Sequence, residues 1–347
     1  MTRLPELNTT DAYSDQNSTN ETQCINLNDW GWLTRHQPAY LFIITALGIV
    51  LNVFVLLVFC LHKKACTVAE IYLSNLAAAD LLLVSCLPFW AVNISQGFNW
   101  PFGEALCKMV NAGMKMNAYC SIYFLVLVSM DRYVALVHPM SYGRMRRPKY
   151  AKLGCLLVWG LGLLLSASTL IFRAVKYFPE HNIRACTLLY PSQMVELVCD
   201  GMLITFSFII PISIIAFCTI TIIRALKKQS LARSKAQKSE QKATTLVLAV
   251  LVTFLICWVP FHFITVLDVL RKTNILVGCA LERVLAVCDQ IFVYLSIFNS
   301  VVNPILYVII GKNFRKKVQE VCKQCGVSRE TTASTRSDTS ATLTTFT

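Results

Sequence analysis

The sequence predicts an all-α membrane protein, a seven-transmembrane helix bundle followed by a short amphipathic helix on the cytoplasmic membrane surface. Three observations carry this. The 347-residue chain is 55% hydrophobic and only 15% charged, an apolar excess beyond what a water-soluble core uses. Apolar runs long enough to cross about 30 Å of hydrocarbon, roughly 20 helical residues each, recur seven times. Lysine and arginine gather in alternate connecting segments, the pattern that orients membrane helices.

Taken in order, residues 1–37 are polar and hold no apolar core ahead of a small-residue cleavage site, so the first span is expected to act as the targeting signal. Asn8, Asn17 and Asn20 in this tail sit in glycosylation acceptor triplets; Asn93 also does but lies against the membrane. The spans are placed near 38–61, 68–95, 104–136, 151–172, 194–226, 241–270 and 283–310. The third, fifth and sixth exceed what a bilayer needs and are expected to tilt or project into water. The domain reading is therefore an extracellular tail over 1–37 and the bundle over 38–310, then a surface helix over 311–325 and a tail over 326–347. In the surface helix Phe314, Val318 and Val321 recur at three- and four-residue intervals with lysines opposite. The last segment is polar and dense in hydroxyls, a composition that predicts disorder.

More than half of the 32 basic residues lie between spans 1–2, 3–4 and 5–6 and after span 7. That side is expected to be cytoplasmic and the amino terminus outside. The net charge of +13 then reflects topology, and no nucleic-acid partner is implied. Of 15 cysteines, Cys24, Cys107, Cys186 and Cys279 fall in outward segments, where an oxidising exterior favours pairing. Three connectivities are open, and Cys107–Cys186 with Cys24–Cys279 is the pairing expected.

The polar residues inside the spans carry the functional signal. Asn52, Asp80, Asn117, Ser121, Asn299 and Asn303 fall in spans 1, 2, 3 and 7. They fit either a hydrated pocket in which Asp80 holds sodium or interhelical glue around a protonated Asp80. Asp131-Arg132 closes span 3 and Glu240 opens span 6, so Arg132 has two carboxylates to choose between; the alternative is a charge that snorkels to water. Pro260 and Pro304 each remove a backbone bond within a span. Lys115 stands inside span 3, eight residues past Cys107, hence ~12 Å down a helix. A lone cation there costs roughly 3 kcal/mol unless it meets water or an anion. It either faces a hydrated cavity, snorkels outward or pairs with an internal acid such as Asp289.

These residues resemble a known family. Asn52, "NLAAAD" with Asp80, Cys107, "DRY" at 131–133, Trp159, Pro211, "CWVP" with Trp258 and "NPILY" at 303–307 are similar to the rhodopsin-like G-protein-coupled receptors, over roughly 38–322. The resemblance implies a connector of Pro211, Ile122 and Phe254, a pocket floor at Trp258, and switch residues Asp131, Arg132, Tyr133, Asn303, Pro304 and Tyr307. It also implies a heterotrimeric G protein meeting Met140 and Arg132. Thr219 departs from the family, standing where many members place a tyrosine that partners the one in span 7, so Tyr307 needs another partner.

The stretches "LHKKACTVAEIYLSNLAAADLLLVSCLPFWA", "FNWPFGEALCKMVNA" and "ICWVPFHFITVLDVL" resemble the bradykinin receptors. Most look like the type 2 receptor, while Lys115 is type 1-like. The resemblance implies a short basic kinin peptide, with Lys115 at its carboxyl-terminal end and Asp268 at its amino-terminal arginine. The family's second acid on span 7 is missing, since the aligned position is Ala286; Asp289 lies about one turn deeper. Glu196, Asp200 and Arg173 complete the ligand set, the two acids either steering a cation or being solvated rim charges. Trp90, Phe98, Trp100 and Phe102 either anchor at headgroups or line the peptide's path. Signalling through the Gq class to intracellular calcium at the plasma membrane is implied, with palmitoylation at Cys322 and Cys325. Phosphorylation of Thr332, Ser334, Thr335, Ser337, Thr339 and Ser340 by receptor kinases would create a negative patch for arrestin.

Alternatives are a receptor for another short peptide, angiotensin-like, and a non-signalling peptide scavenger. No carboxylate pair, metal cluster or nucleophile–base set stands out, so an enzyme is not expected. Span 7 has no lysine for a retinal Schiff base, and a transporter's internal repeats are not visible.

Overall fold

Seven helices long and apolar enough to span a bilayer stand where the hydropathy places them. The computed structural model describes residues 31–63, 65–138, 148–180, 182–228 and 235–324, with side chains placed for all but 31–34, 226–228, 235–243, 279, 280 and 283. Helix α1 is Gly31–Leu61, α2 Val68–Ser95, α3 Gly103–Val137 and α4 Pro148–Phe172. A hairpin of β1 (Arg173–Phe178) and β2 (Ile183–Leu188) follows. Helix α5 runs as Gln193–Ile204, a π-helical turn Thr205–Ile209, and Ile210–Lys228. Helix α6 is Lys235–Lys272, α7 Cys279–Ile309, and α8 the surface helix at 312–324.

Local chemistry explains the boundaries. Thr67 and Glu70 form a capping box: the Thr67 hydroxyl accepts from Glu70 N at 3.4 Å and the Glu70 carboxylate accepts from Thr67 N at 2.7 Å. The π turn of α5 lies just ahead of Pro211, whose ring supplies no N–H to the preceding turn. Helices α6 and α7 continue through Pro260 and Pro304. Between α7 and α8 stands Gly311, where a Cβ would lie 2.3 Å from the Tyr307 carbonyl oxygen, so only glycine makes this turn without displacement. Arg315 then donates to the freed carbonyls of Val308, at 2.9 Å, and Ile309.

The packing is polar inside and apolar outside. Asn52, Asp80, Asn117, Asn299 and Asn303 are buried, while Leu153, Leu156, Leu157, Leu163 and Leu164 of α4 are exposed. A water-soluble protein does not expose such a stripe; hydrocarbon accepts it. Helices α3 and α4 approach closely because of Gly162, whose added Cβ would lie 2.5 Å from Cys120 Sγ. The hairpin is antiparallel, with Val175 opposite Cys186. The expected Cys107–Cys186 disulfide is formed and clamps β2 to the start of α3. Trp100 N also donates to the Arg184 carbonyl at 2.7 Å, fixing the hairpin over the α2–α3 turn.

Candidate functional site: charges at the hairpin end above a buried polar core

Cys107, Asn111 and Lys115 are spaced by four and share one face of α3. Asn111 is buried; its Nδ2 donates to the Cys107 carbonyl at 2.7 Å and its Oδ1 accepts from Arg173 Nη2 at 2.5 Å. Arg173 opens β1, donates from Nη1 to the Cys186 carbonyl at 3.4 Å and lies 5.7 Å over the Trp90 ring. Burial pushes its pKa down to about 10, which leaves it cationic at neutral pH. One turn along α3, Lys115 Nζ donates to Ser168 Oγ of α4 at 2.8 Å. Lys115 is half-buried and makes no ion pair with Asp289. Among the described residues, neither Lys115 nor Arg173 meets a carboxylate.

The acids collect on α5, α6 and α7. Lys272 Nζ at the end of α6 meets Glu196 Oε1 at 2.5 Å and Asp200 Oδ2 at 2.6 Å on α5, and Asp268 Oδ2 at 3.5 Å. Arg271 bridges Asp268 at 3.2 Å to Glu282 of α7 at 3.5 Å. Glu196 and Asp200 are therefore not solvated rim charges, and Asp268 is not an open anion: the structure pairs all three with internal cations. Asp289 is half-buried on α7.

Aromatic packing corrects another expectation. Trp90 and Trp100 are almost wholly buried, with ring centroids 6.1 Å apart; Phe102 sits 5.1 Å from both Trp100 and Phe89. Trp100 Nε1 donates to the Gly103 carbonyl at 2.8 Å, and the indoles form a packed plug under the α2–α3 turn. Phe98 stays half-buried in that turn, at a positive φ of 66°. Trp258 is buried, stacked on Phe254 at 5.5 Å and edge-on to Phe261 at 6.0 Å. His262 continues the stack toward Phe208 of the π turn, 4.8 Å away. Ile122, Phe254 and Pro211 are buried on α3, α6 and α5.

Below, the predicted polar set converges. Asp80 Oδ2 accepts from Asn303 Nδ2 at 2.9 Å and Oδ1 from Asn117 Nδ2 at 3.3 Å. Asn117 also reaches Ser121 Oγ at 3.1 Å and the Ala79 carbonyl at 2.9 Å. Asn52 ties α1 to α7 by donating to the Ser300 carbonyl at 3.0 Å. Asn299 is buried nearby in sequence but makes no hydrogen bond to Asp80. Asn299 Oδ1, Asn303 Oδ1 and the Tyr307 hydroxyl are buried without partners among the described residues, so the other partner expected for Tyr307 is not found there.

This geometry meets an independent finding. The family described as 7 transmembrane receptor (rhodopsin family) matches residues 51–307. The chain belongs to this family. The B2 bradykinin receptors of Homo sapiens and Rattus norvegicus are each 48% identical to it over 316 residues, covering 89% of this chain and 81% and 80% of theirs. The B1 bradykinin receptor of Macaca mulatta is 40% identical over 309 residues, 88% of either chain. The rhodopsin-family receptor thus falls among the bradykinin receptors, a class of receptors and not of enzymes.

At the receptor's other end, Arg132 is almost fully buried and donates to Asp131 Oδ2 from Nε, at 3.0 Å, and from Nη2. Tyr133 bonds His138 at 3.1 Å. Helix α8 docks through Phe314, 5.5 Å from Phe59, and through Lys317–Glu70 and His62–Glu320, both at 2.9 Å. Cys322 is exposed on α8. The Glu240 and Cys279 side chains, and Asn8, Asn17, Asn20, Cys24, Met140, Cys325 and the tail hydroxyls, lie outside the described residues.

Sequence reasoning missed Ser168, Asn111, Arg271 and Lys272. The signal for Lys272 was legible as an i, i+4 pair with Asp268. Nothing local marks Ser168, because its partner is 53 residues away.

Proposed function

We propose that this rhodopsin-family receptor binds short basic kinin peptides at its hairpin end and signals through a heterotrimeric G protein of the Gq class to phospholipase C and intracellular calcium. In this reading the hairpin end faces outward at the plasma membrane and the α8 end faces the cytoplasm. The observation that carries it is charge segregation: Lys115 of α3 and Arg173 of β1, which meet no carboxylate among the described residues, against carboxylates gathered on α5, α6 and α7. A peptide with an arginine at one end and a free carboxylate at the other is oriented by that field, because each end is repelled from the wrong side. Lys115 reads the terminal carboxylate and disfavours an arginine side chain at the same place. Asp268 takes the amino-terminal arginine, with Glu196, Asp200 and Asp289 adding negative potential.

Binding is transmitted through Trp258 and the Pro211, Ile122 and Phe254 level to Asp80, Asn303 and Tyr307. In the resting receptor Asp80 holds a sodium ion among the amides and hydroxyls described above. At the far end Arg132 exchanges Asp131 for another partner as the crevice opens toward Met140 and the G protein. Cys322 and Cys325 take palmitate, and the hydroxyls from Thr332 to Ser340 take phosphate for arrestin.

A calcium assay on cells expressing the full chain tests the reading. Full-length kinin and its form lacking the last arginine are compared with angiotensin. A response to a kinin is expected. Silence to both kinins together with a response to angiotensin overturns the subfamily assignment, and kinin binding without any response favours a scavenger.

A further inference from the structure

The carboxylates of Glu196, Asp200 and Asp268 already hold a cation supplied by the chain. Lys272 is the last residue of α6, where a lysine ordinarily extends its flexible stem to keep a strongly hydrated ammonium in water. Here the side chain is only 6% exposed and the ammonium lies against Glu196, Asp200 and Asp268. Glu196 and Asp200 stand four apart on one face of α5, a spacing at which like charges repel, and the ammonium offsets that repulsion. The backbone is fastened too: Gln193 Nε2 donates to the Lys272 carbonyl at 2.7 Å. Beside it, Arg271 keeps its own contacts to Asp268 and Glu282.

We propose that Lys272 is a tethered competitor, whose ammonium fills the acidic site of Glu196, Asp200 and Asp268 in the unoccupied receptor and is displaced by the cationic amino-terminal end of the ligand. This rests on the kinin reading above. It makes Lys272 a determinant of affinity that acts against binding: the ligand's apparent affinity is reduced by the fraction of receptors in which the tether has left the acids.

The test is equilibrium binding to full-length receptor in membranes, using a labelled kinin and an analogue whose first arginine is citrulline, which keeps the shape and loses the charge. Wild type, Lys272→Met and Lys272→Arg are compared. Lys272→Met is expected to bind the kinin about tenfold tighter, corresponding to a tether seated about nine-tenths of the time. It should bind the citrulline analogue as wild type does, and Lys272→Arg should restore wild-type affinity for both. Unchanged or weaker kinin binding by Lys272→Met, with the analogue bound normally, overturns the proposal and leaves the kinin reading standing. Loss of both peptides in Lys272→Met but not in Lys272→Arg marks a purely structural tie and overturns it as well. Absence of kinin binding by the wild type removes the kinin reading itself, and the competitor with it.

Discussion

A single ammonium poses the sharpest question at the residue scale. Lys115 is bonded to Ser168, a neutral hydroxyl that orients the charge without cancelling it. A desolvated carboxylate arriving there gains a charge-assisted bond, whereas an arginine meets repulsion. Replacing Lys115 with serine is therefore expected to shift relative potency toward the peptide ending in arginine, by about tenfold or more on the scale of a lost buried charge contact. Ratios of half-maximal calcium responses for the two kinins check this; an unchanged ratio removes Lys115 from the role of carboxylate reader. Lys115 was legible in the sequence because an isolated cation in a hydrocarbon span contradicts its surroundings. Its partner was not legible, since a serine in an apolar helix carries no such contradiction.

Among the elements, α3 and α4 set where that lysine can reach. Their close approach depends on Gly162, packed against Cys120 Sγ and near Met116. A leucine there forces the helices apart by more than a side-chain shift can absorb, since the first added carbon already overlaps the sulfur. Gly162→Leu is expected to lower the apparent Tm of the detergent-solubilised receptor by several degrees and to weaken kinin binding in parallel. Thermal-shift and binding measurements on one preparation check this; a stable variant with full affinity shows that the α3–α4 spacing does not position the site. Element boundaries were largely readable. The spans placed by hydropathy agree with the membrane-spanning portions of the helices to within a few residues, because length and apolarity are imposed by the bilayer itself, whereas α1 and α6 begin earlier than their predicted spans. The hairpin and the π turn were not: the short strands depend on tertiary context, a disulfide to α3, and the proline at 211 that follows the π turn is equally compatible with an unwidened helix. The aromatic plug of Trp90, Trp100 and Phe102 escaped for the same reason, as tryptophan near a span end reads equally as anchor or core.

Across the whole molecule, one polar core joins α2, α3 and α7, with α1 fastened to α7 beside it. Asp80 is fully buried and accepts one amide on each oxygen, a number of donors too small to solvate a carboxylate that in water is fully hydrated. On the sodium reading proposed above, Asp80 would hold the ion, and the unpartnered carbonyl oxygens on Asn299 and Asn303 and the Tyr307 hydroxyl, which stand on one helix, would complete its shell. A cation bound there would favour this arrangement over any in which α7 moves relative to α2, so by linkage it would oppose a ligand that favours the moved state. Agonist affinity is therefore expected to be about fivefold weaker in sodium chloride than in choline chloride at equal ionic strength, at the lower end of ordinary coupling energies. Asp80→Asn removes the anion and keeps the amide-sized volume, so it should abolish the salt-identity effect while preserving binding. Competition binding in the two salts checks both arms. A sodium effect that survives in Asp80→Asn places the ion elsewhere, and its absence from wild type leaves the buried carboxylate as interhelical glue, the reading in which the proton takes the place of the metal.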